Sequence, residues 1–352
     1  MELSDLGFTD WFRDAYHHSD RQDVARITTV NKGGYLVRGT GGEVFAELAG
    51  GFMFSSDASA DYPVVGDWAF VDYYNANMLA IITGLFPRKT VLRRKTAGKK
   101  VDYQMIAANI DTAFIVQSCD FNFNLRRLER YLVMVRDGQI EPLILLSKSD
   151  LVTPGEMERK ISEIRNSGID CAVIAYSTKT GSGLPEIQQA LQASHTYCLL
   201  GSSGVGKTTL LNRLIGQDAF ETNLVREKDS KGKHTTSRRQ LVVLDQGAML
   251  IDTPGMRELG NIGVSTGINE SFSDILELSR DCRFNDCTHT GEAGCAVLRS
   301  LQDGELSESR YQSYLKLRKE SAHYEMSYLE KRKKDKKFGQ FVKSVMKHHK
   351  KK

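Results

Sequence analysis

Apolar and polar positions alternate over the first part of the chain, in short runs set apart by glycine pairs. Val24-Ala25-Arg26-Ile27-Thr28-Thr29-Val30, Tyr35-Leu36-Val37-Arg38 and Glu43-Val44-Phe45-Ala46-Glu47-Leu48 are separated by Gly33-Gly34 and Gly41-Gly42. Val64-Val65-Gly66-Asp67-Trp68-Ala69-Phe70-Val71 and Met78-Leu79-Ala80-Ile81-Ile82 follow. Successive strand residues face opposite sides, so each alternating run predicts a half-buried strand. Five short strands with glycine turns predict a small barrel, most simply an OB-fold. Taken alone, this segment fits a purely structural β-domain equally well.

The pattern changes after Asp111. Thr112 to Val116, Pro142 to Leu146, Cys171 to Ala175 and Tyr197 to Leu200 are short, nearly continuous apolar runs. Such runs read as strands covered on both faces. Between them, Leu125, Leu128, Leu132 and Val135 recur at helical spacing. Met157 to Ile164, Leu184 to Leu191 and Thr208 to Ile215 read as further helices. Leu241 to Leu244 and Ala248 to Ile251 read as strands around the turn Asp245-Gln246-Gly247. This alternation predicts a mostly parallel sheet wrapped by helices. Beyond about Gly267 the strand pattern stops and a short helical segment runs to the tail.

These changes divide the chain into a mobile or helical lead-in (1–20), an OB-fold barrel (21–98), an α/β domain (99–266), a helical domain (267–328) and a tail (329–352). Pro87 to Gly98, with Arg88, Lys89, Arg93, Arg94 and Lys95, reads as the linker after the barrel. The 352 residues suit such a division, at about 100–200 residues per domain. There is no run of about 18 uncharged apolar residues, so no membrane span is expected. The opening residues lack the basic start and apolar core of a secretory signal. A cytoplasmic monomer is the expectation.

The net charge of +4 is unevenly spread. Lys331 to Lys352 holds 11 Lys/Arg and one acid, Asp335, so the rest of the chain is mildly acidic. Such a tail meets polyanions, either nucleic acid or an anionic membrane. It lacks a strong apolar face or a lipidation signal, which favours nucleic acid. Tyr311, Tyr314, Tyr324, Tyr328, Phe338 and Phe341 are interleaved with basic residues there. They can stack on bases or, at helical spacing, simply pack.

Gly201-Ser202-Ser203-Gly204-Val205-Gly206-Lys207-Thr208 fits G-x-x-x-x-G-K-[ST] at every fixed position, between an apolar strand and a helix. The glycines let backbone N–H groups turn toward one anion, and the helix adds its positive end. Lys207 reaches the outer phosphates and Thr208 ligates Mg²⁺, with Thr209 following in the helix. Asp252-Thr253-Pro254-Gly255 ends the strand Ala248 to Ile251. Its carboxylate suits Mg²⁺, and the Gly255 N–H suits the γ-phosphate. Between the two lies a polar stretch containing Gly232, Lys233, His234, Thr235 and Thr236. A threonine there can complete the Mg²⁺ shell. His234 can orient water or be an ordinary solvated loop residue.

Ser147-Lys148-Ser149-Asp150 follows the strand Pro142 to Leu146. A carboxylate there can accept guanine N1–H and N2–H₂, a donor pair that adenine lacks, and Lys148 can lay its stem over the base. Rejecting the wrong base rests on leaving that carboxylate unpaired. Ser177-Thr178 can back the base with main-chain N–H groups. The base motifs precede the phosphate loop, as in the circularly permuted GTPases. A ligand at the carboxyl ends of sheet strands does not record where the chain begins.

Cys119, Cys171 and Cys198 lie scattered among apolar residues. Cys282, Cys287, His289 and Cys295 instead cluster as C-x4-C-x-H-x5-C. Three thiolates and an imidazole suit a closed tetrahedral Zn²⁺ site, structural because no position is open.

A barrel, a permuted GTPase core and this cysteine segment, in that order, resemble the ribosome small-subunit-dependent GTPase A family over about residues 20–300. The resemblance implies an N-terminal OB-fold, a circularly permuted P-loop GTPase domain and a C-terminal helical zinc domain. It implies GTP hydrolysis stimulated by the small (30S) ribosomal subunit, contact with its 16S rRNA, and a role late in that subunit's maturation. The family's G-x-H-T-T segment matches Gly232 to Thr236, which favours a catalytic His234. Two departures stand out. Ser147 replaces the Asn that usually opens the base motif, which predicts weaker guanine affinity. Met256 stands where many small GTPases carry a water-orienting Gln, which predicts slow unaided turnover. The competing reading is a nucleotide-gated RNA-binding module with negligible hydrolysis.

Overall fold

The computed structural model describes residues 1–14, 23–31, 33–55, 59–75, 77–95, 103–216, 239–252 and 265–325. The opening segment, expected as a lead-in, is helical over Leu3–Leu6 and α1 (Asp10–Asp14), and it is packed into the core. Leu6, Phe8 and Phe12 are buried, and Phe8 meets the Trp68 ring edge-on at 4.8 Å.

Strands β1 (Asp23–Asn31), β2 (Gly34–Gly39), β3 (Gly42–Leu48), β4 (Trp68–Tyr74) and β5 (Leu79–Leu85) form the expected five-stranded barrel, with α2 (Gly50–Ser55) between β3 and β4. β1, β2 and β3 run as an antiparallel meander, and β3 pairs parallel with β5. β5 pairs with β4, and β4 returns to β1 from Asp23↔Val71 to Arg26↔Trp68. Closure leaves the barrel without open edges, which is how a small sheet avoids unpaired backbone groups. Small and branched residues fill its interior: Ala25, Ile27, Val37, Ala46, Ala69, Val71, Ala80 and Ile82.

The stretch read as a linker is not one. β6 (Val91–Lys95) pairs antiparallel with β7 (Tyr103–Ala108). Arg88 reaches both carboxylate oxygens of the buried Asp67 at 2.8 Å. Arg93 pairs with Asp137 at 3.1 Å, and Arg94 donates to Gln104. These cations close internal contacts. The partner strand lies beyond the basic run, so the run's own pattern does not announce it.

The α/β domain is a three-layer unit. Its strands are β8 (Thr112–Ser118), β9 (Glu141–Ser147), β10 (Val173–Ala175), β11 (Thr196–Leu200), β12 (Arg239–Val243) and β13 (Met249–Asp252). They lie in the order β10-β9-β8-β11-β13-β12, parallel except for β12. Alternation along β8 sorts the two cores. Ala113 and Ile115 face α3 (Leu125–Asp137) and α4 (Pro154–Asn166), while Phe114 and Val116 face α5 (Leu184–Ala190) and α6 (Lys207–Ile215).

β12 also pairs with β1 through Thr29↔Gln240 and Val30↔Arg239, so barrel and α/β sheet share one hydrogen-bonded surface. Arg26 secures this junction from β1 while fully buried. It donates to the carbonyls of Leu6, Gly66 (3.3 Å) and Asn109 (2.9 Å) and lies over the Trp68 ring. Burial pulls its guanidinium down to about 10 against the opposing charges of Asp111 and Asp67, so it stays protonated at neutral pH. Gly66 has φ +92°, and a Cβ there would sit 2.1 Å from the Ala108 carbonyl. Only glycine admits this approach of barrel to domain.

The C-terminal region is helical, as expected: α7 (Ser265–Ser271), α8 (Ser273–Ser279), α9 (Ala296–Gln302) and α10 (Glu308–Glu325). Phe272, Ile275, Val297, Leu306, Tyr311, Tyr314 and Leu317 make its core, against Val133 of α3. Tyr311 and Tyr314 are therefore packing groups, which removes them from the base-stacking reading. The Tyr324 side chain, Tyr328, Phe338, Phe341 and the basic tail lie outside the described residues. Among the described residues no helix is long and apolar enough to cross a membrane.

Candidate nucleotide site and metal cluster

Register brings the predicted motifs to one edge of the parallel sheet. Ser118 is opposite Ser147, Ala175 opposite Leu146, and Cys198 opposite Ile251. The segments Ser147 to Asp150, Ser177-Thr178 and Gly201 to Thr208, together with Asp252, therefore all leave at strand carboxyl ends. That edge is where open α/β sheets bind ligands.

Gly201 turns out of β11 at φ +149°, where a Cβ would lie 2.3 Å from the Val116 carbonyl. Gly204 and Gly206 also have positive φ, and Gly206 caps the start of α6. The loop curls round Lys207, whose Nζ donates to the carbonyls of Gly201 and Ser202, both at 2.7 Å. Val205 is buried beneath the loop, Thr208 is half-buried in the first helical turn, and Ser203, Gly204 and Thr209 are exposed. A curled backbone ahead of a helix N-terminus favours an anion.

The base motif is braced against this loop. Ser147 is buried and its hydroxyl donates to the Val205 carbonyl at 2.7 Å. The short side chain thus ties the end of β9 to the phosphate loop. Lys148 adopts a left-handed backbone, φ 58°. Asp150 accepts the Ser177 hydroxyl at 2.6 Å, and that hydroxyl in turn accepts the N–H groups of Lys179 and Thr180 at 3.2 Å. Thr178 sits half-buried in the same turn. Asp252 is half-buried at the last position of β13. His234, Thr235, Thr236 and Gly255 lie outside the described residues.

The turn after β8 adds residues that motif reading missed. Asp120 accepts the Lys148 ammonium at 2.8 Å, the Ser118 hydroxyl at 2.7 Å and the Asn122 N–H at 2.9 Å. Burial works against its charge, but Lys148, Ser118 and Asn122 outweigh it and hold the carboxyl below its ordinary value. Arg127 donates to Asn122 and to the Ser202 hydroxyl. The available signal was positional: a polar Ser118-Cys119-Asp120 run at the carboxyl end of another buried strand.

Asp150→Asn should relax guanine selectivity by about tenfold or more, since a charged hydrogen bond is worth about 1.5–3 kcal/mol. Competition of GTP against ATP measures this; unchanged discrimination removes Asp150 from base reading.

The cysteine segment converges as predicted. The ligand atoms of Cys282, Cys287, His289 and Cys295 all lie within 4.8 Å of one another. Cys282 and Cys295 sulfurs are 3.8 Å apart, and His289 Nδ1 is 3.6 and 3.4 Å from them. Tetrahedral bonds of about 2.3 Å to sulfur and 2.0–2.1 Å to nitrogen require edges of about 3.8 and 3.6 Å. The three spacings among Cys282, His289 and Cys295 match those edges, and Cys287 completes the set of four within 4.8 Å. His289 takes a left-handed φ of 61°, and the Tyr311 hydroxyl holds its carbonyl at 2.6 Å. Burial raises the Cys282 thiol, but the N–H groups of Ala296 and Val297 at the start of α9 outweigh it and lower it. Burial pushes Cys287 up to about 11. A shared cation is what allows adjacent thiolates to coexist.

The comparisons with known proteins agree with this geometry. Residues 85–262 match the family model described as RsgA GTPase. The chain is 42% identical over 303 residues to the small ribosomal subunit biogenesis GTPase RsgA 2 of Lactiplantibacillus plantarum, covering 86% of this chain and 84% of the relative. It is 39% identical over 349 residues to the small ribosomal subunit biogenesis GTPase RsgA 1 of Bacteroides thetaiotaomicron, covering 98% and 97%. The crystal structure of YjeQ from Thermotoga maritima aligns with a TM-score of 0.64 at 23% identity, over 86% of this chain and 99% of that one. YloQ, a circularly permuted GTPase, aligns at 0.62 and 24% identity, over 87% and 97%. At those identities the two structures speak for the fold. The order of motifs, their meeting at one sheet edge and these likenesses lead to one conclusion: the chain belongs to the RsgA GTPase family and is a circularly permuted GTP hydrolase.

Proposed function

We propose that this GTPase works in biogenesis of the small ribosomal subunit, docking on its 16S rRNA in the GTP form and loosening after hydrolysis. The observation that carries the reading is the near full-length likeness to a relative named for that process, 39% identical over 98% of this chain. The closed barrel and the basic segment Lys331 to Lys352 are the surfaces proposed to meet RNA. The proposed setting is the cytoplasm, and the proposed working form is a monomer.

In-line phosphoryl transfer needs positioning and charge compensation more than covalent chemistry. Lys207 and the N–H groups of Gly201 to Thr208 would hold the phosphates. Asp150, braced by Ser177, would hold the guanine edge. Thr208 and Asp252 would hold Mg²⁺, which supplies positive charge to the phosphate oxygens when bound. Thr235 or Thr236 would complete that shell, the Gly255 N–H would meet the γ-phosphate, and His234 would orient the attacking water. Met256 cannot do so, and slow turnover without a partner follows. The three cysteines and His289 would hold one structural Zn²⁺, since all four tetrahedral positions are taken.

GTP turnover should rise steeply as purified small subunits are titrated in. Equal and negligible rates with and without subunits would overturn the hydrolytic switch and leave a nucleotide-gated RNA-binding module. Sedimentation with subunits at several salt concentrations tests the tail: deleting Lys331 to Lys352 should weaken binding and flatten its salt dependence.

A further inference from the structure

We infer that Arg127 is a positioning residue for GTP hydrolysis, holding the phosphate loop in shape through the Ser202 hydroxyl. The inference rests on reading Gly201 to Thr208 as the nucleotide site. Arg127 lies in the first turn of α3, where the Asn124 side chain accepts its backbone N–H at 2.9 Å. Its Nη1 donates to Asn122 Oδ1 at 2.9 Å and to Ser202 Oγ at 2.7 Å. Ser202 is also the residue whose carbonyl takes the Lys207 ammonium. The two cations therefore hold one loop residue at two points, Arg127 at the hydroxyl and Lys207 at the carbonyl. When Lys207 turns to a phosphate, Arg127 is the side-chain hold on Ser202 that remains among the described residues. A cradle fixed before the reaction spends nothing on rearranging during it.

The fold does not need this contact. α3 is already capped by Asn124 and anchored in the core by Leu128, Leu132 and Val135. Lys148 beside it is neutralised by Asp120. Among the described residues the hydrogen-bond partners of Arg127 are an amide and a hydroxyl, neither of them a carboxylate. A guanidinium has five N–H donors and keeps its charge at any working pH. Arg127 thus brings a positive charge, with no ion-pair partner among the described residues, to the rim of an anion site.

The test uses the full-length protein and compares Arg127→Ala, Arg127→Lys, Ser202→Ala and the Arg127→Ala/Ser202→Ala double variant, with Lys207→Ala as control. Measured quantities are kcat, KM, GDP affinity and melting temperature. Arg127→Ala should lower kcat/KM about tenfold or more, the size expected for one charged hydrogen bond, while the melting temperature holds. Ser202→Ala should do the same, the double variant should be no worse than either, and Arg127→Lys should restore part of the loss. Should Arg127→Ala fail to fold, Ser202→Ala removes the same bond from the other side. Wild-type kinetics in both single variants, with Lys207→Ala inactive, sink the inference alone. A Lys207→Ala protein that still binds nucleotide sinks the reading of the loop itself.

Discussion

Lys207→Ala should abolish measurable GTP and GDP binding at micromolar concentrations and, with it, turnover. The expectation follows from what the side chain does in the loop. Its ammonium closes the curl by donating to Gly201 and Ser202 at 2.7 Å, and it is the cation built into the phosphate cradle. Truncating one partner of a desolvated charge pair costs about 2–5 kcal/mol, or roughly 30- to several-thousand-fold in affinity. The fold should tolerate the change. Lys207 opens α6, while Leu210 and Leu211 carry that helix's buried contacts. Titration with a fluorescent GDP analogue, alongside a melting curve, separates a lost site from a lost fold. Binding within a few-fold of wild type, on an intact protein, would place the nucleotide elsewhere.

Removing the proposed zinc should unfold the helical C-terminal region while the barrel and the α/β sheet persist. Purified protein should carry one zinc per chain, and Cys295→Ser should carry none. The segment from Cys282 to Cys295 has little regular structure of its own between α8 and α9. Apparent binding free energies of structural zinc are about 10–16 kcal/mol near pH 7, a large share of any small unit's stability. The expected signature is a first, low-temperature melting step on adding a chelator, with loss of helical signal and retention of nucleotide binding. Acid should act in the same direction. Thiols and imidazole must be deprotonated to bind, so affinity falls as pH falls. A zinc content near zero in protein never exposed to chelator, with a single unchanged melting transition, would overturn the assignment.

Much of the site was legible because its chemistry is encoded in consecutive residues. A phosphate loop must be contiguous, since neighbouring N–H groups have to converge on one anion. Metal ligands sit within a short segment for a similar reason. The role of Ser147 was only half legible. Its departure from the usual Asn was visible, but its bond to Val205, 58 residues on, was not. Asp120 and Arg127 escaped because neither belongs to a contiguous motif. Arg127 reaches Ser202 across 75 residues of chain, and no local pattern marks such a pair. The Pro87 to Gly98 stretch was misread for the opposite reason: its composition is that of a linker, and its strand partner lies further on.

The five barrel strands, the strand and helix alternation of the α/β domain, the permuted order of motifs and the clustering of three cysteines with His289 were legible in the sequence alone, whereas the β6–β7 pair and α2 were not. Periodicity and ligand spacing are local properties, and each is set within a few turns or strands of chain. The tertiary structure decided how the parts are joined: Arg26 buried among three carbonyls, β12 pairing with β1, Arg88 on Asp67, and the turn after β8 braced between base motif and phosphate loop. Those contacts link residues far apart in the chain, and only folding creates the desolvated surroundings in which a single hydrogen bond or charge pair matters.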